Sequence, residues 1–100
     1  MPDLDGDTPT FYAHMLEQIV LADTLHPAFT TVWLTEHHFS HYGGLLPNPA
    51  VFGAAIAAKT TRIRIGTAVT VLPLHNPLQV AEDFAMLDVL SGGRFDFGIG

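Results

Sequence analysis

The sequence predicts an α/β fold, specifically a partial (β/α)8 TIM barrel comprising about its first three to four strands. One pattern occurs twice: a short apolar strand, a loop, an Asn-Pro pair and a helix, with the Asn-Pro pairs at 48–49 and 76–77. Strands and helices that alternate at this interval form parallel sheets with right-handed crossovers. The glycine pairs at 43–44 and 92–93 lack the GxGxxG spacing of a dinucleotide-binding fold, so the barrel is favoured over a doubly wound sheet.

The length predicts that the chain forms one part of a single domain. A complete barrel requires about 250 residues, whereas this chain has 100. We therefore expect residues 1–100 to be the N-terminal part of one barrel domain, truncated at its carboxyl end inside a strand. A sheet of about three parallel strands leaves two open edges, so this part is not expected to be active by itself.

A helix is predicted before the first strand. Thr8 can cap this helix, and Pro9 fits its first turn, where the missing N–H of proline has no helical partner to lose. The apolar residues that follow at helical spacing give one apolar face, formed by Tyr12, Met15, Leu16, Ile19 and Val20. His26-Pro27 ends the helix.

The stretch over 32–39 predicts the functional edge of the fold. Residues 32–35 are β-branched and aromatic residues typical of a buried strand. Glu36, His37 and His38 follow directly, at the carboxyl end of that strand. In parallel α/β folds the loops at this end form the ligand-binding crevice or barrel mouth. We therefore expect these side chains at the edge of an active site.

Two further helices and two further strands are predicted downstream. Asn48 and Asn76 can each cap a helix whose first turn contains a proline. The predicted elements are a helix over 49–59, a strand over 62–72 that Pro73 ends, a helix over 77–90 and a strand that begins at 94. Arg62 and Arg64 are interpreted as the solvated start of a strand. Arg94 is expected to pair with a nearby acid such as Asp88.

Charge and composition exclude several classes of function. Four Lys and Arg against ten Asp and Glu give a net charge of −6, which disfavours nucleic acid and anionic membrane surfaces. The absence of cysteine excludes disulfides and thiolate metal sites. Residues 1–7 are acidic, unlike a signal peptide, and the apolar stretch 50–58 is shorter than the about 20 residues that span a bilayer. We expect a cytoplasmic protein without nucleic-acid or membrane partners.

The histidines after the first strand allow more than one interpretation. An imidazole titrates near neutrality, so His37 could give or take a proton in a pocket, or it could simply bond to backbone carbonyls. A zinc or iron site would use four side chains: Glu36, His37, His38 and His41. Because adjacent side chains of an extended chain point to opposite sides, His37 and His38 are poor joint ligands. No metal is expected.

Four motifs in order resemble the bacterial luciferase-like flavin-dependent monooxygenases. They are TEHHF at 35–39, Asn48-Pro49, GTAVTVLP at 66–73 and LDVLSGGRFDFGIG at 87–100. The resemblance covers residues 21–100. No single motif is decisive, but their order and separation together identify the superfamily and leave the position within it open.

This resemblance implies a barrel that binds reduced FMN at its carboxyl mouth, where O₂ reacts to give a flavin C4a-hydroperoxide that oxygenates a small organic substrate such as an aldehyde. It implies that His37 is the catalytic acid/base and that Glu36 lies on the flavin side of the strand end. Ala68-Val69 matches a non-prolyl cis peptide that contacts the flavin ring. Gly100 matches a flavin-proximal position that is a reactive cysteine in luciferase itself, which argues against light emission.

The resemblance also implies partners, with alternatives left open. No NAD(P)H-binding motif is visible, so a separate NAD(P)H:flavin reductase is expected to supply the reduced FMN, and the full-length protein is expected to be a dimer. The first alternative is hydride transfer with F420 on the same fold. The second is a non-catalytic fragment or flavin-binding protein. The substrate is not predicted.

Two parts of the family's barrel are expected to lie outside these residues. Family members generally begin with an apolar strand, whereas residues 1–8 contain none, so the first barrel strand is expected to be lacking. The family's contacts to the flavin phosphate come mostly from residues after Gly100. The sequence therefore predicts the flavin-ring side of the site better than its phosphate side.

Overall fold

The computed structural model describes residues 8–25, 29–36 and 46–100. Helices and strands alternate along them as α1 (Thr8–Leu25), β1 (Thr31–Leu34), α2 (Pro49–Lys59), β2 (Arg64–Thr67), α3 (Pro77–Leu90) and β3 (Phe95–Asp96). A 3₁₀ helix, Leu72–Leu74, precedes α3. The strands form one parallel sheet in the order β1-β2-β3. The predicted α/β alternation is confirmed in this part of the chain.

The observed strands differ from the predicted ones at their ends. Strand β1 ends at Leu34 rather than at residue 35, and β2 covers Arg64–Thr67 rather than 62–72. The reason is a change of partner strand, because Ala68 still donates its N–H to the Leu34 carbonyl at 2.7 Å, whereas Thr70 donates to Gly98 at 2.8 Å. The local sequence pattern does not indicate where a strand changes its partner.

The helix boundaries follow from side chains that the sequence shows. Asn48 accepts hydrogen bonds from the N–H groups of Ala50 and Val51 at 3.1 and 3.2 Å. Asn76 caps α3 in the same way, with Leu78 at 2.9 Å. Because a capping oxygen satisfies N–H groups that have no helical partner, both predicted Asn-Pro helix starts are confirmed.

The core lies between one face of the sheet and the helices. Burial of this apolar surface is the main favourable contribution to folding. Along α3 the buried side chains recur at helical spacing, as the sequence predicts for Val80, Phe84 and Leu87. The buried apolar residues are Ile19, Leu34, Phe52, Ile56, Ala57, Ile63, Ile65, Val80, Phe84 and Leu87.

The opposite face of the sheet is largely open in the described residues. Trp33 is 58% exposed there, and its ring lies over Gly66, the residue that pairs with it across β1 and β2. A Cβ atom at Gly66 would overlap the indole ring, so only glycine fits beneath this tryptophan. Among the described helices, none is long and apolar enough to cross a membrane.

Candidate functional site

The carboxyl ends of the parallel strands meet at one side of the sheet. We call this side the carboxyl edge and define it by Glu36, residues 68–71, His75 and residues 97–100. Backbone hydrogen bonds join these segments, since Gly98 accepts from Thr70 and Gly100 donates to the Thr70 carbonyl at 3.1 Å. The strand order therefore brings together residues that lie more than 60 positions apart in the sequence.

Glu36 is the buried acid of the carboxyl edge. Its side chain is 1% exposed, and its Oε2 atom lies 2.8 Å from Nε2 of His75. Its Oε1 atom accepts the N–H of Val71 at 3.3 Å. Burial of an ionised carboxylate is costly unless donors compensate for the lost water. These two donors come from the segment between β2 and α3.

Three of the predicted cofactor-binding residues are neighbours at this edge. The peptide bond between Ala68 and Val69 is cis, as the family resemblance implies. Val69 is 41% exposed. A Cβ atom built on Gly100 would lie 2.7 Å from Cγ2 of Val69, which shows that the two residues are in close contact. The edge thus presents an exposed apolar surface beside the buried Glu36 carboxylate.

A small, partly enclosed pocket of about 40 Å³ lies beside Glu36. Glu36, His75 and Thr70 contribute to its wall, together with Asp83 of α3. Thr70 is only 1% exposed. Within the described residues its hydroxyl oxygen has no hydrogen-bond partner. The carboxyl edge therefore includes an unsatisfied buried polar atom, which is rare in folded proteins.

His37, the predicted catalytic residue, lies outside the described residues, as do His38 and His41. Of the four side chains in the metal alternative, the structure therefore describes only Glu36. In the described ranges, no three His, Asp or Glu side chains come close enough together to hold a metal ion.

The strands begin at the opposite side of the sheet, which we call the amino edge and define by Asp23, residues 59–64 and Arg94. Its polar side chains bind backbone groups. Asp23 of α1 is buried and accepts the N–H groups of Thr61, Arg62 and Ile63 at 3.0, 2.8 and 2.7 Å. Burial acts to raise the pKa of Asp23, but these hydrogen bonds and the Arg62 charge outweigh it and hold the pKa below its usual value. Asp23 thus fixes the segment that leads into β2.

Two arginines complete the amino edge. Arg62 donates to the carbonyls of Ala22 and Asp23, which belong to the last turn of α1. Arg94 donates to the carbonyls of Ala57, Thr60 and Ile63, at the end of α2 and just after it, and to the carbonyl of Ser91, which ends α3. The expected pairing of Arg94 with Asp88 is therefore wrong, because carbonyls without helical partners surround the guanidinium instead. Arg62 is exposed before the start of β2, and its hydrogen bonds also tie this segment to the last turn of α1.

The sequence did not indicate Asp23, His75 or Thr70 as residues of either edge. Asp23 contacts a segment 38 to 40 positions away, and His75 contacts Glu36 from 39 positions away. The only local signal for His75 is its place directly before the capping Asn76, where a loop at the carboxyl edge is expected. Thr70 falls in a run that resembles an ordinary strand.

Comparison with known proteins finds relatives that are named as monooxygenases. The alkanal monooxygenase alpha chain of Photorhabdus laumondii is 49% identical over 71 residues, which are 71% of this chain and 20% of that protein. The oxygenase component of the flavin-dependent trigonelline monooxygenase of Acinetobacter baylyi is 36% identical over 88 residues, which are 88% of this chain and 24% of that protein.

Solved structures share the fold of this part of the chain. The monooxygenase RslO1 of Streptomyces bottropensis superposes with a TM-score of 0.89 and 39% identity, covering 95% of this chain and 28% of that one. The oxygenating constituent of 3,6-diketocamphane monooxygenase from Pseudomonas putida, in complex with FMN, superposes with a TM-score of 0.85 and 25% identity, covering 95% of this chain and 26% of that one. The F420-dependent tetrahydromethanopterin reductase of Methanopyrus kandleri superposes with a TM-score of 0.66 and 29% identity, covering 94% of this chain and 24% of that one.

The family follows from a broader match. The sequence model of the luciferase-like monooxygenases matches residues 2–100, and the chain belongs to this family. The predicted fold, part of a luciferase-like (β/α)8 barrel, is confirmed by the structural neighbours. The chain spans about a fifth to a quarter of the length of the curated relatives described above.

Proposed function

We propose that the full-length protein is a flavin-dependent monooxygenase that uses reduced FMN and O₂, through a flavin C4a-hydroperoxide, to oxygenate a small organic substrate. The observation that carries this proposal is the meeting of Ala68, Val69 and Gly100 on an exposed apolar surface at the carboxyl edge. In parallel α/β folds this edge is where ligands bind. Family membership supports the reaction class.

The residues at this edge fit the ring system of a flavin. An isoalloxazine ring is flat and largely apolar, and Val69 and Ile99 present apolar side chains that are 41% and 54% exposed. Apolar walls with a few placed polar groups are typical of cofactor sites. In the proposal, Ala68, Val69 and Gly100 contact the ring, and Glu36 lies beside them.

The same edge does not supply a cation for the flavin phosphate. All four Lys and Arg of the chain lie at the amino edge, at positions 59, 62, 64 and 94. The strands separate these charges from Val69 and Gly100. We therefore propose that residues 1–100 bind the ring and that the phosphate is held by groups outside them.

His37 remains the proposed catalytic acid/base, on the strength of the family motif at 35–39 alone. Its sequence neighbour Glu36 is fixed at the carboxyl edge by hydrogen bonds. In the proposal His37 holds or gives the proton that oxygenation of the substrate requires, because imidazole as a group titrates near neutral pH.

The partners of this reaction are proposals as well. One relative is named as an oxygenase component, which supports a separate NAD(P)H:flavin reductase as the source of reduced FMN. The other proposed reactants are O₂ and a small organic substrate. We propose that the full-length protein is a cytoplasmic dimer. No feature of the described residues indicates which substrate is used.

Hydride transfer with F420 is the second candidate, because one structural neighbour is an F420-dependent reductase. Its TM-score of 0.66 is lower than the 0.85 and 0.89 of the two monooxygenases. This difference favours the FMN-dependent reaction.

Titration of the full-length protein with oxidised FMN, reduced FMN and F420 tests the proposal, followed by stopped-flow mixing of the reduced complex with O₂. The expected result is tight binding of reduced FMN and a long-lived oxygenated flavin absorbance. An added aldehyde, used as the probe substrate, should discharge this absorbance in wild type and much more slowly in His37→Ala. Binding of F420 alone would favour hydride transfer, and binding of no flavin would favour a non-catalytic protein.

A further inference from the structure

Glu36 links three parts of the carboxyl edge. It lies two residues after the end of β1, its Oε2 atom lies 2.8 Å from Nε2 of His75, and its Oε1 atom accepts the N–H of Val71 at 3.3 Å. Val71 lies two residues after Val69, on the segment that carries the exposed apolar surface. A displacement of the Glu36 carboxylate would therefore displace this segment.

His75 occupies a fixed place from which it can hold that carboxylate. Its backbone N–H donates to the Leu72 carbonyl at 3.0 Å, and the next residue, Asn76, caps α3. The imidazole is 30% exposed, whereas the Glu36 side chain is 1% exposed. The 2.8 Å contact with His75 is much shorter than the 3.3 Å contact with Val71. Because hydrogen bonds weaken as they lengthen, His75 contributes more to fixing the Glu36 carboxylate than Val71 does.

We propose that His75 is a positioning residue that holds the Glu36 carboxylate and, through it, the segment 68–71. The part of this claim that concerns flavin affinity rests on the proposed function. The role is indirect, since His75 acts through Glu36 and its imidazole needs no contact with the cofactor. Removal of the imidazole donor should loosen Val71 and weaken binding of FMN, although Val69 and Gly100 are unchanged.

Two substitutions separate the hydrogen bond from the bulk of the side chain. His75→Leu keeps much of the volume and removes the donor. His75→Gln keeps an amide donor at nearly the distance of Nε2 from the backbone. His14→Leu on α1 is the matched control, because His14 is an exposed histidine outside the carboxyl edge.

The first readout is amide hydrogen exchange in the flavin-free full-length protein with ¹⁵N-labelled valine. Val80 serves as internal reference, because its N–H donates to the carbonyl of Asn76, the N-cap of α3, and not to Glu36. We expect His75→Leu to speed exchange at Val71 by about tenfold, the size of one charge-assisted hydrogen bond. Val80 should change less than about twofold, and His75→Gln should restore slow exchange at Val71.

The second readout is the dissociation constant of FMN. We expect His75→Leu to raise it about tenfold, whereas His75→Gln and His14→Leu should remain close to wild type. If His75→Leu does not fold, His75→Asn replaces it, because the shorter amide does not reach Glu36.

Each outcome decides the proposal. Unchanged exchange at Val71 in His75→Leu would overturn it, as would faster exchange with unchanged FMN affinity. If the wild-type protein binds no flavin, the proposed function fails, and the exchange at Val71 alone decides whether His75 positions the segment.

Discussion

The buried polar groups at the two edges of the sheet differ in how completely they are hydrogen-bonded. At the amino edge, Asp23 accepts three backbone N–H groups and Arg94 donates to four backbone carbonyls. At the carboxyl edge, the Thr70 hydroxyl is buried without a partner among the described residues, and Val69 is 41% exposed. The difference indicates that the amino edge stabilises the fold and that the carboxyl edge is available for a ligand.

The hydrogen bonding differs because the two edges bind different groups. The side chains of the amino edge satisfy helix ends and connecting segments, whose N–H and C=O groups would otherwise lack partners. A ligand site must instead leave surface and polar atoms unsatisfied until the ligand arrives, and it lowers stability in doing so. In parallel barrels, function accordingly belongs to the carboxyl ends of the strands and stability to the amino ends.

Asp23→Ala is expected to produce the largest effect. The change leaves the N–H groups of Thr61, Arg62 and Ile63 without their acceptor, at about 1–3 kcal/mol for a buried unsatisfied group. We expect a loss of about 3 kcal/mol in the free energy of unfolding of the full-length protein, measured with denaturant. FMN affinity of the folded variant should remain within about twofold of wild type.

Asp88→Ala is the matched control, because Asp88 is an exposed acid on α3. It should change the free energy of unfolding by less than about 0.5 kcal/mol. Equal losses for the two variants would refute the stabilising role of Asp23.

Acid should remove part of the same stabilisation. Because the pKa of Asp23 is lower in the folded state than in the unfolded chain, the contribution is complete above the unfolded pKa of about 4 and is lost as the pH falls through the folded pKa. We expect the stability difference between wild type and Asp23→Asn to be constant above about pH 5 and to shrink below about pH 4. A difference that grows on acidification would contradict the hydrogen bonding assigned to Asp23.

The smallest expected change in stability is a loss at the amino edge and a gain at the carboxyl edge. The Thr60 hydroxyl at the amino edge donates to the Ile56 carbonyl and accepts from Arg94 at 2.8 and 2.9 Å, whereas the Thr70 hydroxyl has no partner among the described residues. We expect Thr60→Val to destabilise the protein by about 1 kcal/mol and Thr70→Val to stabilise it by about 1 kcal/mol. Thermal unfolding of the two nearly isosteric variants measures both. If Thr70→Val destabilises the protein, the Thr70 hydroxyl has a hydrogen-bond partner, and the two edges do not differ in this respect.

Much of the fold is predictable because its signals are local. Asn48 and Asn76 cap their helices, and the spacing of Val80, Phe84 and Leu87 defines the buried face of α3. The strand ends are not predictable in this way. Strand β2 stops at Thr67 because the backbone then pairs with Gly98 and Ile99, and that partner lies some 30 positions away.

The candidate site also combines residues with a local sequence signal and residues whose partners are distant in the sequence. Glu36 and Val69 are indicated by their positions after strands and by the family motifs, and the structure describes both at the carboxyl edge. The partner of Glu36, His75, could not be found, because no periodicity or motif connects positions 39 apart. The error on Arg94 has a related cause, since sequence suggests charged partners more readily than backbone carbonyls.

The most direct test of the account compares one substitution at two places. Val69→Asp puts a charge on the apolar surface of the carboxyl edge. Val89→Asp puts the same charge on a residue that is 79% exposed in the last turn of α3, towards the amino edge. The measurement is the dissociation constant of reduced FMN for the full-length protein and both variants.

We expect Val69→Asp to weaken the binding of reduced FMN by at least about tenfold, because an anion would face the flat apolar ring. Val89→Asp should stay within about twofold of wild type. Equal affinity of the two variants, or a larger loss for Val89→Asp, would contradict the assignment of the flavin to the carboxyl edge.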